Sequence, residues 1–382
     1  MRLAIVTHYF STHRGGIELV AAQLAAALST EHDVSWMASD CDDVPTDLPP
    51  TVRLVPMSST NIVERIVGVP FPIWSPLAAL RLWKELRGVD VVHLHDYAYS
   101  SNWLAFLMAR MRGVPVLITQ HIGFVPYKSR MLRLAQWLLE STIGRVMLGR
   151  ADRVVFVSSV VRKYFQQRVH FTSRPRTIAN GVDTVVFAPL SSPERLSLHQ
   201  ATTAESSLPR LLFVGRFVEK KGLAILEKLV ERFPDVQWVF AGWGPLDPSS
   251  WGRSNVQVFS DLRGRSLAPL YQGADLLVLP SVGEGLPLVL QEAMSCGTPA
   301  LVGEETAEAV GANSNVLFSC PVRASGAAED WTRALRGILE KRRDLEAMRA
   351  DVATFARTRW SWESCISAYD QTLRQLLARH AS

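Results

Sequence analysis

Two glutamates, Glu284 and Glu292, lie in one segment with seven residues between them, a short distance after the apolar run 275–280. This order predicts a strand, a sharp loop and then a helix that starts near Gly285. The first turn of a helix presents free N–H groups and the positive end of the helix dipole, and both favour an anion. The segment therefore predicts a phosphate-binding site.

The spacing of the two glutamates argues against a hydrolase. If both lay on the helix, they would be about 12 Å apart along its axis. The carboxylate pairs of glycoside hydrolases are about 5 to 9.5 Å apart. Two acids at opposite ends of one segment suit a ligand with two separated sets of hydroxyls, such as a sugar and a ribose. The alternative is an acid favoured by the dipole and a second, solvated acid.

Two further strands are followed by loops that could bind phosphate. Arg216 and Lys221 come after the run 211–214, and the glycines Gly242 and Gly244 follow the next run. The carboxyl ends of parallel strands lie on one edge of a sheet, where ligands bind. Arg216 can donate to two phosphate oxygens and Lys221 adds a point charge. The alternative for these two cations is a solvated charge cluster.

The ordered set of motifs resembles a known family along the full chain. The second half carries G-R-F-x-x-x-K-G at 215–222, G-x-G-P at 242–245, L-P-S-x-x-E-G at 279–285 and E-x7-E at 284–292. The first half carries Gly15-Gly16, His93-Leu-His95-Asp96, His121 and Asn180-Gly-Val-Asp183. This set is similar to the retaining, nucleotide-sugar-dependent glycosyltransferases of family four. The resemblance implies an α/β GT-B fold, with two Rossmann-like doubly wound parallel-sheet domains facing across a cleft.

The resemblance also implies residue roles. Arg216 and Lys221 would bind the diphosphate. Glu292 would bind the ribose and Glu284 the transferred sugar, and His121 would contact a hydroxyl of that sugar. The catalytic set implied is His121, Glu284, Arg216 and Lys221. The other donor-binding positions implied are Gly15, Gly16, Gly242, Gly285, Leu286, Leu288 and Val289. The departing phosphate would take the acceptor's proton. Pro287 replaces the family's more frequent glycine and removes one backbone donor.

Length and composition fit two domains. The chain has 382 residues, of which 48% are hydrophobic and 20% charged, enough for two cores of ordinary size. Alternating strands and amphipathic helices predict a first domain over 1–190 and a nucleotide-sugar-binding domain over 209–358. The segment 190–209 reads as a linker, because it is rich in Ser, Thr and Ala. The amphipathic helix 360–382 is expected to pack back on the first domain.

No cofactor is expected, and in particular no metal. Asp40-Cys-Asp42 mimics a manganese-binding D-x-D, and His93-Leu-His95-Asp96 could resemble a metal cluster, but side-chain cations and a helix terminus already do what a metal would do. The four cysteines lack paired short spacings, and no segment reads as a signal peptide or membrane span. The sequence favours a cytoplasmic protein, either soluble or peripheral on the inner face of the membrane.

The region 128–176 is strongly basic and includes an amphipathic helix around Arg130 to Leu148 that contains Trp137. Such a helix suits an anionic membrane surface, and the alternative is a core helix with a solvated basic face. The expected partners are a UDP- or GDP-linked sugar and a glycan or polyprenyl-linked lipid acceptor. No nucleic-acid-binding motif is present, so nucleic acid is not expected.

Two other functions stay open at this point. One is a nucleotide-sugar hydrolase or epimerase of the same fold, and the other is a non-catalytic module that keeps the nucleotide site. A dehydrogenase is disfavoured because Gly15 and Gly16 do not form the G-x-G-x-x-G fingerprint.

Overall fold

The computed structural model describes residues 1–13, 15–67, 71–125, 129–195, 197, 208–262, 264–311, 315–322 and 326–380. The chain divides into two compact units. The first holds Met1–Phe124, Lys128–Asn180 and Glu363–Ser382, and the second holds Val125–Tyr127 and Gly181–Trp362. The interior of the predicted linker, 198–207, lies outside the described residues.

The first unit is built on a parallel sheet of seven described strands in the order β3-β2-β1-β6-β7-β8-β9. The strands of this unit are β1 Arg2–Val6, β2 Asp33–Ser39, β3 Val52–Met57, β4 Ser59–Thr60, β5 Ile73–Trp74, β6 Val91–His95, β7 Val116–Gln120, β8 Arg153–Phe156 and β9 Arg176–Thr177. Strands β4 and β5 form a separate antiparallel pair. All residues of β6 and β7 are buried, as expected for central strands that are covered on both faces.

Helices connect these strands. They are α1 Gly16–Leu28, α2 Ile62–Val67, α3 Pro76–Glu85, α4 Ser100–Met111, α5 Arg130–Leu139, α6 Arg145–Arg150 and α7 Ser159–Gln166. A π-helical stretch, Glu140–Gly144, joins α5 to α6. The predicted basic helix is therefore a continuous helical segment with a π-bulge. Its side chains Met131, Leu134 and Trp137 are exposed, whereas Met147 and Leu148 at the end of the segment are buried.

The second unit repeats the same plan. Its strands are β10 Arg210–Val214, β11 Gln237–Ala241, β12 Val256–Phe259, β13 Leu276–Leu279, β14 Ala300–Gly303 and β15 Phe318–Cys320. The described strands form a six-stranded parallel sheet in the order β12-β11-β10-β13-β14-β15. The helices are α8 Leu223–Arg232, α9 Ala268–Gly273, α10 Leu288–Ser295, α11 Glu304–Val310, α12 Ala327–Glu340 and α13 Arg342–Arg359. Two such α/β sheet units confirm the predicted fold class.

The last helix, α14 Trp362–His380, contributes residues to the first unit. The Tyr369 hydroxyl lies 3.1 Å from the Thr119 hydroxyl on β7. Arg176 donates to the Thr372 hydroxyl at 2.9 Å. These buried and half-buried polar contacts fix the register of α14 against the sheet. Among the described residues, no helix is long and apolar enough to cross a bilayer.

Candidate active site

Backbone hydrogen bonds hold the loops after β10, β11 and β13 side by side. The Phe217 N–H donates to the Trp243 carbonyl at 2.6 Å, which joins the first two loops. The Val282 N–H donates to the Lys220 carbonyl at 2.9 Å, which joins the first loop to the third. The predicted phosphate-binding loops therefore meet at one edge of the second sheet.

Glycine is required where these loops approach most closely. Gly242 has a φ of 154°, and a Cβ on it would lie 1.9 Å from the Gly215 carbonyl oxygen. Gly222 has a φ of 77°, and a Cβ on it would lie 2.3 Å from the Pro280 carbonyl oxygen. No side chain fits at such distances, so both positions need the bare backbone of glycine. Gly242, predicted as a donor-binding residue, thus has a demonstrable packing role.

Lys221 and Glu284 form an ion pair in this corner. The Lys221 Nζ lies 2.9 Å from Glu284 Oε1, and each side chain is only 13% exposed. Burial disfavours the ionised carboxyl, but Lys221 and Lys220 together lower the pKa of Glu284 below its usual value. The Glu284 carboxylate therefore stays ionised at neutral pH.

Arg216 and Lys220 add to the positive charge of the same loop. Burial, followed by the charges of Lys221 and Arg216, lowers the pKa of Lys220, and Glu284 opposes this shift. The Arg216 Nε is buried and has no hydrogen-bond partner in the described part of the chain. Buried donors in proteins are normally paired, so a guanidinium of this kind suits an oxyanion ligand.

Helix α10 starts later than the sequence predicted. It begins at Leu288 rather than near Gly285, and Pro287 is its N-cap. The reason is that Pro287 has a ψ of 128°, an extended value, and the Leu290 and Gln291 N–H groups both reach its carbonyl. Consequently Glu284, Gly285 and Leu286 lie in the preceding loop. The N–H groups of Leu288 and Val289 precede the first closed turn and have no acceptor inside the helix.

Glu292 lies on α10 and accepts a hydrogen bond from the Tyr271 hydroxyl, with 2.7 Å between the oxygens. Burial raises the pKa of Glu292 to about 7, and the Tyr271 hydrogen bond opposes the rise. The two glutamates thus differ in charge state. Glu284 is held ionised by lysines, whereas Glu292 titrates near neutrality.

Sequence reasoning missed Lys220, Ser281 and Tyr271. The Ser281 hydroxyl is buried and has no hydrogen-bond partner among the residues described here, so it is a further donor candidate beside Arg216. Lys220 could have been found from the Lys220-Lys221 doublet, and Ser281 from the L-P-S motif. No sequence signal links Tyr271 to Glu292, because they lie 21 residues apart on different helices.

In the first unit, Gly15 is the N-cap of α1 and Gly16 is its first residue. The Glu18 carboxylate lies so close to Gly15 that a Cβ there would be 2.1 Å from Glu18 Oε2. His8, two residues after the end of β1, contacts the same carboxylate, with His8 Nε2 2.8 Å from Glu18 Oε1. Burial opposes the ionisation of Glu18, yet His8 lowers its pKa below the usual value.

His121 follows β7 directly, and its Nε2 lies 3.0 Å from His95 Nδ1. Burial lowers the pKa of His121 to about 3 and the pKa of His95 well below its usual value, so both rings are neutral. The His95 Nε2 is buried and has no hydrogen-bond partner among the described residues. Burying an unprotonated nitrogen there costs less free energy than burying an unpaired N–H, so we assign the His95 proton to Nδ1. His95 Nδ1 then donates to His121 Nε2, and the His121 proton is on its own Nδ1.

Residues of the two metal-like patterns have hydrogen-bond partners within the chain. Asp40 Oδ1 accepts hydrogen bonds from the Ser59 N–H at 2.9 Å and the Ser59 hydroxyl at 3.0 Å. Asp42 lies 2.8 Å from His13 Nδ1. Asp96 has a φ of 73° and accepts a hydrogen bond from the Ala98 N–H at 3.0 Å. No group of three potential metal ligands is found in the described ranges.

Comparison with known proteins finds matches along most of the chain. The profile of Glycosyltransferase Family 4 matches residues 14–186, and that of Glycosyl transferases group 1 matches residues 208–341. A phosphatidyl-myo-inositol mannosyltransferase of Mycobacterium tuberculosis is 29% identical over 323 residues, covering 80% of this chain and 78% of that protein. A GDP-mannose-dependent alpha-mannosyltransferase of Mycolicibacterium smegmatis is 29% identical over 314 residues, covering 79% of each. The structure of Anabaena HepE in complex with UDP has a TM-score of 0.78 at 15% identity, over 98% of this chain and 100% of that one.

Proposed function

Since the chain belongs to glycosyltransferase family 4 and has the α/β fold of the GT-B enzymes, we propose that it is a sugar transferase. In this proposal it transfers a sugar from a nucleoside-diphosphate sugar to a glycan or lipid-linked acceptor, with retention of configuration. The observation that carries this proposal is the buried Lys221–Glu284 pair beside Arg216. It combines cations for a diphosphate with a carboxylate for sugar hydroxyls.

In this proposal Arg216 and Lys221 bind the diphosphate together with the first N–H groups of α10. These groups stabilise the charge that grows on the leaving nucleoside diphosphate, which is electrostatic catalysis in a partly buried site. The Arg216 and Lys221 side chains and a helix terminus supply the positive charge that a metal ion supplies in other transferases. Metal independence is therefore part of the proposal.

The proposed chemistry breaks the bond between the anomeric carbon and the phosphate oxygen and forms one to the acceptor oxygen. The bonding electrons leave with the nucleoside diphosphate, and its phosphate oxygen takes the acceptor's proton. Glu284 orients the sugar by accepting hydrogen bonds from its hydroxyls. His121, whose Nε2 faces His95 and whose proton is on Nδ1, donates from Nδ1 to a sugar hydroxyl in this proposal.

The relatives support two donor nucleotides and a lipid acceptor. One relative is named as GDP-mannose-dependent, and HepE was solved with UDP. Another is named for phosphatidyl-myo-inositol, a lipid. We propose a GDP- or UDP-linked hexose as donor and a lipid-linked or glycan acceptor in cell-surface glycan synthesis.

The exposed face of α5 supports a location at the inner membrane surface. Met131 is 71% exposed, Leu134 56% and Trp137 58%. Arg130 and Arg133 stand on the same helix, and no described residue of α5 is buried. An apolar face with a tryptophan and flanking arginines matches an anionic bilayer surface. The protein would thus be peripheral and would meet its acceptor at the lipid headgroups.

The proposal is tested by measuring release of nucleoside diphosphate from UDP- and GDP-sugars, with and without phosphatidylinositol or polyprenyl-phosphate vesicles, in EDTA. Acceptor-dependent release with a glycosylated lipid product supports the transferase. Equal release without any acceptor would instead indicate a nucleotide-sugar hydrolase.

A further inference from the structure

Tyr271 is held rigidly next to Glu292. Its side chain is fully buried, and its ring packs edge-on against Phe187 with 5.8 Å between ring centroids. The Thr298 hydroxyl donates to the Tyr271 carbonyl at 2.5 Å, and the Ser295 hydroxyl donates to the Phe187 carbonyl at 2.7 Å. The phenol ring therefore has one available orientation, in which its hydroxyl points at Glu292.

The Glu292 carboxylate has two oxygens, and the Tyr271 hydroxyl occupies Oε2. An ionised carboxylate can accept about four hydrogen bonds, so the other oxygen and the remaining lone pairs stay available to a ligand. Because one oxygen is anchored by a rigid donor, the plane and rotamer of the carboxylate are set before the ligand arrives. Preorganisation of this kind raises affinity by lowering the ordering cost of binding.

We propose that Tyr271 is a positioning residue for the donor nucleotide, which anchors the ionised Glu292 carboxylate as the acceptor for the ribose hydroxyls. This inference rests on the proposed function, because the ribose is part of the proposed donor. In this proposal the buried Tyr271 affects binding of the ribose but not binding of the phosphates.

The charge state of Glu292 gives the inference a second readout. The pKa of Glu292 is about 7, raised by burial and held down by Tyr271. The other titratable groups at this corner are Cys296, at the end of α10, and Arg349 and Arg357 of α13, whose charges act on the Cys296 thiol. Burial raises the pKa of Cys296 to about 12, so this thiol stays neutral in the range tested below.

Substitution Tyr271→Phe removes only the hydroxyl. The pKa of Glu292 then rises, because the hydrogen bond that favoured its ionised form is lost. At pH 7 more of the carboxyl is protonated, and it becomes a weaker acceptor for ribose hydroxyls. At pH 8.5 the carboxyl ionises again, so part of the loss is recovered.

The experiment compares wild type and Tyr271→Phe by calorimetric titration with UDP and GDP and with their 2′,3′-dideoxy forms, at pH 7 and pH 8.5. We expect the ribonucleotide affinity to fall roughly tenfold at pH 7, since a hydrogen bond to a charged group is lost. The dideoxy affinity should change less than about twofold, since the phosphate contacts are intact. The ribonucleotide loss should shrink at pH 8.5. Tyr369→Phe, which removes another buried tyrosine hydroxyl, is the matched control and should leave all affinities unchanged.

Other outcomes would overturn the inference. An equal loss for ribo- and dideoxynucleotides would show a general structural effect, and no loss at all would show that Tyr271 does not position Glu292. If Tyr271→Phe fails to fold, 3-fluorotyrosine at position 271 keeps the packing and strengthens the donor, and it must raise the ribonucleotide affinity selectively. Wild type that binds no nucleotide would refute the proposed donor site itself, a result distinct from these.

Discussion

Lys221 Nζ and Glu284 Oε1 lie 2.9 Å apart, and the two side chains come from loops that follow different strands of the second sheet. A buried ion pair is costly to form, and removing one partner leaves an uncompensated charge. The lysine and the glutamate therefore constrain each other. Neither is a solvated surface charge, which was the alternative for Lys221 in the sequence.

The His95–His121 contact predicts an unusual pattern of substitution effects. His95→Asn can place an amide N–H near the position of His95 Nδ1 and keep the hydrogen bond to His121, whereas His95→Leu cannot. We expect kcat to fall roughly tenfold for His95→Leu, the effect of one lost hydrogen bond, and much less for His95→Asn.

The readout that separates positioning from damage is the ¹⁵N NMR spectrum of His121. Wild type and His95→Asn should show the Nδ1–H tautomer, and His95→Leu a mixture of tautomers. A wild-type spectrum with the proton on Nε2 would contradict the assignment.

The glycine contacts at the site edge predict a difference between two positions of positive φ. Gly242→Ala would place a Cβ 1.9 Å from a backbone oxygen, whereas at Gly252, with a φ of 62°, a Cβ would meet no atom within 4 Å. We expect Gly242→Ala to lower the free energy of unfolding by about 3 kcal/mol or more, and Gly252→Ala by about 1 kcal/mol. Thermal and urea unfolding measure both. Similar losses for the two variants would show that the loops can separate freely.

The pKa of Glu292 predicts how stability depends on pH. Its folded-state pKa, about 7, lies above the usual value of 4.5. The folded chain therefore binds more protons between these values, and stability is lost as the pH rises through about 7. Glu292→Gln removes this dependence. The free energy of unfolding of the variant, relative to wild type, should therefore increase by about 2 kcal/mol between pH 5 and pH 8. Urea unfolding at the two pH values measures the difference. Parallel pH profiles of stability for the two chains would show that the pKa of Glu292 is not raised.

The α5 surface predicts binding to anionic vesicles. The double substitution Leu134→Ser and Trp137→Ser removes exposed apolar area without emptying the core. We expect vesicle binding to weaken roughly tenfold or more, because each exposed large apolar side chain contributes about 1.5 kcal/mol or more when buried. Arg333→Glu, an exposed charge change in the second unit, is the control and should have little effect. Co-sedimentation with phosphatidylglycerol vesicles measures this binding. Equal binding by all chains would show that α5 does not contact the membrane.

The fold could be predicted from sequence because its signals are local. Buried strands such as Leu276–Leu279 are continuous apolar runs, and α8 has helical periodicity with a glycine at its N-terminus. The start of α10 could not be placed, since Pro287 is compatible both with a first helical position and with an N-cap.

The polar partners of the site residues were beyond sequence reasoning for a different reason. Arg216, Lys221 and Glu284 could be singled out by motif, yet the Lys221–Glu284 pair joins loops more than 60 residues apart in sequence. The Tyr271–Glu292 and His95–His121 contacts likewise join different elements. Such contacts depend on side-chain geometry at the sheet edge, which periodicity and spacing do not encode.

The most direct test of the central claim is calorimetric titration of UDP and GDP, in EDTA, into wild type, Lys221→Met and Lys228→Met. Lys228 is an exposed lysine on α8 and serves as the control. We expect one of the two nucleotides to bind wild type and Lys228→Met equally, and to bind Lys221→Met roughly 10- to 100-fold more weakly, the effect of losing a charged hydrogen bond. Equal binding by all three chains, or no binding of either nucleotide to wild type, would contradict a donor site built on Lys221 and Glu284.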